Sequence, residues 1–264
     1  MSFYTKLTVA LVTGFCLMQA GQASAGTYTE YFADTPNSAS YFPGYSDSYP
    51  ESIGNNPDVT GILVSYNDVT GQLLSVTILS NTAVDTNGTW GFTSLFINTN
   101  SAGQDWNYLV HAGGNTGSSY VAGGAALPDN NGLYAVADNY TYTVVGSSNG
   151  REGHPDSIAT DDLTYQGALT PDYTTNLSYD SSNGVSGTSN YALVYDFSSL
   201  NIILESDYTI GWTPFCANDV VYEEGKWDGP QQPPSAPEPA TMVLFGAGMA
   251  ALAGWHNRKK KDEK

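Results

Sequence analysis

The chain has 264 residues, of which 13% are charged, and its formal net charge at pH 7 is −18. A typical soluble domain has about 25% charged residues, so small polar residues must supply much of the solubility here. The large negative charge excludes nucleic acid and anionic membrane surfaces as partners of the folded body, because like charges repel.

The first 25 residues have the order of features of a cleavable secretion signal. Lys6 supplies a positive charge, residues 7–18 form an apolar stretch, and Ala23-Ser24-Ala25 places small residues where signal peptidase cuts. We predict cleavage after Ala25 by signal peptidase. A buried N-terminal helix is the alternative, but the order of charge, apolar stretch and small residues favours the signal.

The central segment is strongly acidic. Residues 26–236 contain 23 acidic residues and only two basic ones, Arg151 and Lys226, which gives a net charge of −21. Such a surface tolerates divalent cations. It disfavours capture of an acidic polysaccharide unless calcium bridges the two.

Alternation of apolar and polar residues predicts one all-β body over residues 26–230. Five stretches place β-branched and aromatic residues at every second position: Leu74, Val76 and Ile78; Trp106, Tyr108 and Val110; Tyr140, Tyr142 and Val144; Tyr191, Leu193, Tyr195 and Phe197; Tyr208, Ile210 and Trp212. Such stretches predict strands with one buried face. Turn clusters such as Asn67-Asp68-Val69-Thr70-Gly71 separate them.

Many short strands with frequent turns predict a single β-sandwich or jelly roll. Two segments look less regular: the Tyr- and Ser-rich residues 27–52 and the Ser-, Thr- and Asn-rich residues 170–190. We expect both to be long surface loops.

A cluster of charged residues, Arg151-Glu152-Gly153-His154-Pro155-Asp156, is the first candidate site. Arg151 and His154 are the candidate ligand-binding residues, with His154 as a general base beside Glu152 or Asp156. The alternative, which we favour, is a tight turn in which Arg151 pairs with a neighbouring carboxylate. Neighbours in sequence do not by themselves form a catalytic geometry.

Cys216 is the one cysteine left after signal removal, and we predict a buried, unreactive thiol rather than an intermolecular disulfide. A Cys-His-Asn nucleophile set is formally available with His111 or His154. No flanking motif supports it. We favour a turn at the end of a strand, in which Asn218-Asp219 bonds to the local backbone.

Oxygen-rich turns suggest calcium as a possible cofactor. Asp129 and Asn131, in Asp129-Asn130-Asn131-Gly132, are the candidate metal ligands, although the spacing of an EF-hand is missing there. Carboxylate pairs of the kind glycosidases use also occur, but with 23 acidic residues they arise by chance. These pairs are Asp161 with Asp162, Glu205 with Asp207, and Glu223 with Glu224. We assign no catalytic residue.

Aromatic side chains offer a further possibility, because flat Tyr and Trp rings can stack on sugars. The alternative is that Trp90, Trp106 and Trp212 lie in the core, as we expect for most of them.

The C-terminal region has three parts. A proline-rich spacer over residues 231–236 precedes Pro237-Glu238-Pro239, an apolar stretch follows over residues 240–255, and Arg258-Lys259-Lys260-Lys261 forms a basic end. A helix over the 16 apolar residues would be about 24 Å long, slightly less than the hydrocarbon core of about 30 Å. The basic end favours the cytoplasmic side, which leaves the body outside.

These three parts resemble the PEP-CTERM sorting domain, over residues 237–264. The resemblance implies a Gram-negative bacterium that makes extracellular polysaccharide, and a membrane protease-transpeptidase, exosortase, that cuts near Pro237-Glu238-Pro239. It further implies a protein held in the inner membrane by its C-terminal helix and then passed to the cell surface or matrix. An ordinary membrane anchor with a chance Pro-Glu-Pro is the alternative, but so short an apolar stretch makes a poor permanent span.

Three functions remain open for the body, in order of preference. The first is a noncatalytic surface or extracellular-matrix protein that binds carbohydrate or another matrix polymer. The second is a structural surface protein that assembles with itself through edge strands. The third is a secreted polysaccharide-active enzyme. A β-sandwich fold does not decide among them, because sandwiches support many functions.

Overall fold

The structure is a computed structural model that describes residues 26–34, 58–83, 93–113, 126–146, 153–214 and 219–229. These ranges belong to the unit Gly26–Pro230. The predicted signal peptide with Ala25, the proline-rich spacer and the sorting tail with its predicted helix lie outside them. Within the described ranges, no helix has the length and hydrophobicity needed to cross a bilayer.

The described residues are almost entirely β-structure, as the alternation predicts. The strands are β1 Thr27–Ala33, β2 Val59–Asn67, β3 Leu73–Ser80, β4 Thr93–Asn98, β5 Tyr108–Ala112, β6 Gly132–Val136, β7 Tyr142–Val144, β8 Pro155–Ile158, β9 Leu163–Gly167, β10 Asp172–Asp180, β11 Ser186–Asp196, β12 Asp207–Pro214 and β13 Val221–Lys226. A 3₁₀ turn, Thr160–Asp162, precedes β9.

The strands form two antiparallel sheets and a separate hairpin. The first sheet has the order β1-β2-β3-β11-β10, the second has the order β13-β12-β4-β5-β6-β9, and β7 pairs with β8. Residues of both sheets meet in one hydrophobic core, for example Val76 and Ile78 of the first and Ile210 and Trp212 of the second. Two sheets that share a core in this way form a β-sandwich.

The strand predicted from Tyr208, Ile210 and Trp212 is confirmed, since all three are fully buried in this core. Trp106 is different. It precedes β5 rather than belonging to it, and it packs with Phe96 on the opposite face of the second sheet, at 5.3 Å between ring centroids. The alternation of Trp106, Tyr108 and Val110 therefore overstates the length of that strand.

The expectation of a surface loop over residues 170–190 is wrong. The segment forms most of the hairpin of β10 and β11. Asn176 has a φ of 54°, and the residues beyond it, Leu177 and Tyr179, pack on Leu63 and Leu79 outside the main core. These two apolar residues among many polar ones give the hairpin its anchor on the sheet.

The tip of this hairpin also covers the free edge of β1. Ser182 N–H donates to the Thr29 carbonyl at 2.6 Å, and the Asn183 amide group donates to the Tyr31 carbonyl at 2.9 Å. In return, Thr29 N–H donates to Ser182 Oγ at 3.0 Å. An unpaired edge promotes aggregation, so these bonds protect the first sheet on that side. The loop expected over residues 27–52 is likewise wrong for residues 27–33, which form β1, while residues 35–52 lie outside the described ranges.

The turn between β2 and β3 is confirmed at the predicted cluster. The Asn67 side-chain oxygen accepts the N–H groups of Val69 and Thr70 at 3.0 and 2.9 Å. Gly71 has a φ of 70°, which favours glycine, and a Cβ there would also meet the Leu204 carbonyl oxygen at 2.6 Å. The turn therefore holds the intervening residue, Asp68, in a defined position.

Removal of the Tyr195 hydroxyl tests the centre of the sandwich. Trp212 Nε1 donates to this hydroxyl at 3.1 Å, and Thr93 Oγ1 lies 3.2 Å from it, all fully buried. We expect Tyr195→Phe to lower the free energy of unfolding by about 2 kcal/mol, because two buried polar groups lose their partner. Urea denaturation measures this. The half-exposed Tyr165→Phe is the matched control, with a change below about 0.5 kcal/mol. Equal effects of the two substitutions would contradict the described hydrogen bonds.

Candidate functional site

Of the predicted ligand-binding pair, Arg151 lies outside the described residues and His154 lies inside. His154 is 8% exposed and directly precedes β8, where its carbonyl accepts the N–H of Val145 at 2.9 Å. The side chain is thus part of the interior rather than of an open loop. Whether Arg151 and His154 act together stays a prediction.

A row of buried polar side chains crosses the second sheet on the face opposite the sandwich core. Ser94 of β4 is paired in register with His111 of β5 and with Thr213 of β12. The adjacent residues Leu95 and Val110 belong to the sandwich core. Because side chains alternate along a strand, Ser94, His111 and Thr213 point to the other face, where all three are fully buried.

Strand β8 covers this row and adds a carboxyl group to it. β8 packs against β4, β5 and β12, and its Ile158 contacts the outer-face cluster that includes Phe96 and Leu109. Asp156 of β8 is fully buried, and Thr143 Oγ1 donates to its Oδ1 at 2.6 Å. Asp156 Oδ2 is buried with no hydrogen-bond partner among the described residues.

Burial raises the pKa of the Asp156 carboxyl to about 7, although the Thr143 hydrogen bond and nearby backbone N–H groups favour the ionised form. The carboxyl can therefore exchange a proton near neutral pH. The set combines an acid, an imidazole and hydroxyls, as hydrolytic sites do. However, its described members are enclosed, so the arrangement is better suited to holding the β7–β8 hairpin on the sheet.

The two candidate calcium ligands lie in the turn before β6. The Asn131 side-chain oxygen accepts the N–H of Gly113 at 2.9 Å, which ties this turn to the end of β5. Among the described residues, no group of three or more His, Cys, Asp or Glu side chains could hold a metal ion. Calcium at Asp129 and Asn131 stays a prediction.

Two of the predicted acidic pairs lie on β13 and in the 3₁₀ turn. Glu223 and Glu224 are neighbours on β13, so they point to opposite faces of the sheet. Glu223 is half-buried, and burial raises its pKa to about 7, whereas Glu224 is exposed and accepts the Tyr222 hydroxyl at 3.2 Å. In the 3₁₀ turn, Asp162 accepts the N–H of Thr141 at 2.7 Å.

The segment with Cys216 and Asn218 lies outside the described residues, but Asp219 lies inside. Its Oδ2 accepts the N–H of Val59, 160 residues away. This bond links the second sheet to β2, and the expected bond of Asn218-Asp219 to local backbone stays a prediction. A long-range backbone partner of this kind has no signal in the sequence.

A cluster of tyrosines around Glu30 has no counterpart in the sequence analysis. The Tyr208 hydroxyl donates to Glu30 Oε2 at 2.9 Å, across 178 residues. The Tyr208 ring meets Tyr66 edge-on at 6.2 Å, and Tyr66 stacks on Tyr28 at 5.2 Å. Burial raises the pKa of Glu30, and the hydrogen bond from Tyr208 offsets part of this rise. Alternation along Thr27–Ala33 would have placed Glu30 on the same face as Tyr28, which is the one signal available.

Two tyrosines on edge strands, one in each sheet, are about half exposed. Tyr165 of β9 is 49% exposed and Tyr173 of β10 is 46% exposed. We call this pair the exposed tyrosine edge, because β9 and β10 are both edge strands and residues 168–171 connect them. Each ring has an aromatic neighbour: Tyr134 lies 5.3 Å from Tyr165, and Tyr191 lies 6.1 Å from Tyr173. Trp106 and Trp212 are buried, as expected, and Trp90 lies outside the described residues.

Comparison with known proteins identifies a sorting motif at the C-terminal end of the chain. A family model for the PEP-CTERM protein-sorting motif matches residues 235–259. The chain carries a PEP-CTERM sorting motif. The match includes Pro237-Glu238-Pro239, the apolar stretch and the first two basic residues, Arg258 and Lys259, and it confirms the resemblance. Neither the comparison with curated proteins nor that with solved structures found a match.

The motif is the recognition signal of exosortase, and it implies an exported protein that is anchored in the membrane and then sorted to the surface. The match covers the tail alone. The activity of the body must therefore be argued from its own residues.

Substitution of Asp156 tests whether the pKa of its buried carboxyl is raised. Its pKa is higher in the folded state than the unfolded value of about 3.9, so ionisation between about pH 4 and pH 7 destabilises the fold, by up to about 4 kcal/mol. We expect the stability of the wild type to fall over this range relative to Asp156→Asn, measured by urea denaturation at each pH. Asp172→Asn, at an exposed position, is the control for loss of one charge and should keep the wild-type slope. An unchanged pH dependence in Asp156→Asn would contradict the raised pKa.

Proposed function

We propose that this PEP-CTERM protein is a noncatalytic component of the cell surface or extracellular matrix whose body binds carbohydrate. The exposed tyrosine edge carries the proposal. Exposed apolar surface on a folded protein can mark a binding site, because a ring left in water forgoes part of the free energy of its burial.

The chemistry of the edge suits a sugar. A tyrosine ring offers a flat apolar face for the C–H side of a sugar ring and a hydroxyl for hydrogen bonding. Thr175, two residues along β10 from Tyr173, is exposed on the same face and offers an uncharged hydroxyl. Aromatic neighbours limit the rotation of both rings, which lowers the entropy lost on binding.

The net charge narrows the ligand class. A body with a net charge of −21 repels acidic polysaccharides, so the favoured ligand is a neutral one. An acidic polymer would need calcium between the two surfaces. Binding with and without calcium therefore distinguishes the two classes.

Self-assembly is the second candidate, favoured by a specific feature of β10. This edge strand is exposed or partly exposed at every residue, so its free backbone groups can pair with another strand. The acidic charge opposes such pairing at low salt. Light scattering of the mature protein across salt and calcium concentrations tests it, and a monomer under all conditions rejects it.

A polysaccharide-active enzyme ranks third, because Glu223 and Glu224 point apart and Asp156 is enclosed. Incubation with neutral and acidic polysaccharides decides the question. New reducing ends or unsaturated products would replace the noncatalytic proposal.

Alanine substitutions at the tyrosine edge test carbohydrate binding. We expect Tyr165→Ala and Tyr173→Ala each to weaken binding to a neutral polysaccharide of the producing bacterium about tenfold, through loss of ring stacking. Affinity electrophoresis in gels that contain the polysaccharide measures this.

Two controls separate stacking from general effects. Tyr165→Phe and Tyr173→Phe keep the ring and should retain most of the binding. Val185→Ala removes apolar area at another exposed position, 37% exposed, and should leave binding unchanged. Wild-type protein that migrates freely through neutral and acidic polysaccharides, with and without calcium, would reject the proposal.

A further inference from the structure

The backbone nitrogen of Gly26 lies against a carboxylate. Gly26 N–H donates to Asp68 Oδ1 at 2.8 Å, and Asp68 N–H donates back to the Gly26 carbonyl at 3.1 Å. Asp68 belongs to the β2–β3 turn that the Asn67 side chain holds in place. The β2–β3 turn thus holds the carboxylate beside the first residue of the body.

The contact leaves little space around residue 26. A Cβ at this position would lie 2.9 Å from Asp68 Oδ2, closer than real Cβ atoms approach their neighbours. Glycine allows the backbone nitrogen to come near the carboxylate without displacing it. The position also directly follows Ala25, the predicted cleavage site.

Signal peptidase would change the charge of this nitrogen. Water adds to the carbonyl carbon of Ala25, the bond from that carbon to Gly26 N breaks, and Ala25 leaves with a new carboxyl group. Gly26 N receives a proton and becomes an α-amino group. Its ordinary pKa of about 7.7–8.0 makes it mostly an ammonium at neutral pH.

We propose that removal of the signal peptide creates an ion pair between the new α-ammonium of Gly26 and Asp68, which fastens β1 to the β2–β3 turn. The neutral amide of the precursor makes a single hydrogen bond, whereas the ammonium adds a positive charge and further donors. The fold gains this contact only after export. The inference rests on cleavage after Ala25 and is independent of carbohydrate binding.

The surroundings favour a cation at this position. Burial is the main cause of the raised pKa of Tyr28, two residues along β1 from Gly26, and the charges of Glu30 and Asp228 raise this pKa further. The basic group described near this end is Lys226, which pairs with Asp228 at 3.4 Å. The local field is therefore negative, and it supports the protonated amine.

A double-mutant cycle tests the ion pair. Chains that run to Lys264 begin either at Gly26 or at Ala25, released from a cleavable N-terminal fusion, and each carries Asp68 or Asp68→Asn. The extra residue keeps an amide N–H at Gly26 but moves the ammonium away. We expect Asp68→Asn to raise the unfolding equilibrium constant about three- to tenfold more in the Gly26 chain than in the Ala25 chain. Equal losses in both chains would overturn the ion pair.

The pH dependence gives a second readout. Asp68 should raise the pKa of the α-amino group in the folded state, so the added stability is full below its unfolded pKa and is lost as pH rises through the folded value. The excess effect in the Gly26 chain should be present at pH 6 and absent at pH 10. An excess that persists at pH 10 would assign it to a cause other than the ammonium.

The cleavage itself is tested by export of the full chain into the periplasm of an expression host. N-terminal sequencing should give Gly26 as the first residue. A different first residue would overturn the proposal, whatever the outcome of the cycle.

Discussion

The packing of the two sheets on each other is the interaction on which the rest of the body depends. Trp212, Tyr195 and Tyr208 are among the largest fully buried side chains, and they fill the space between β12 and β11. The Trp212 indole N–H donates to the hydroxyl of Tyr195, so the polar groups at the centre of the core are hydrogen-bonded. With few charged residues and no disulfide possible within residues 26–236, this core supplies most of the stability.

Much of this body could be predicted from sequence, and the failures have physical causes. Alternation identified the strand with Tyr208, Ile210 and Trp212 because one face is buried along its whole length. It failed for β10, where the buried face changes after Asn176 and polar residues outnumber Leu177 and Tyr179. The partners of the site residues were harder to predict, because they are far apart in sequence. Glu30 meets Tyr208 across 178 residues, and Asp219 meets Val59 across 160 residues. The local pattern of apolar and polar residues does not indicate such distant partners.

The C-terminal tail and the β-body reveal their functions in different ways. The tail is read as a linear signal, so Pro237-Glu238-Pro239, the apolar stretch and the basic end were sufficient to identify the sorting route. The function of the body has to be inferred from its three-dimensional structure. This structure has an acidic surface, enclosed polar groups beneath β8 and half-exposed tyrosines on edge strands. Asp156 is enclosed and Tyr165 is half exposed, so the body is better suited to binding a ligand than to catalysis.

The core is formed by residues of the two sheets, so we expect the body to remain folded when the C-terminal tail is removed. Intact mass spectrometry of the protein released from the outside of cells of the producing bacterium tests the removal of this tail most directly. We predict a released species whose mass shows that residues 240–255 are missing. Recovery of the full 264-residue chain from the cell interior, with none outside, would contradict it.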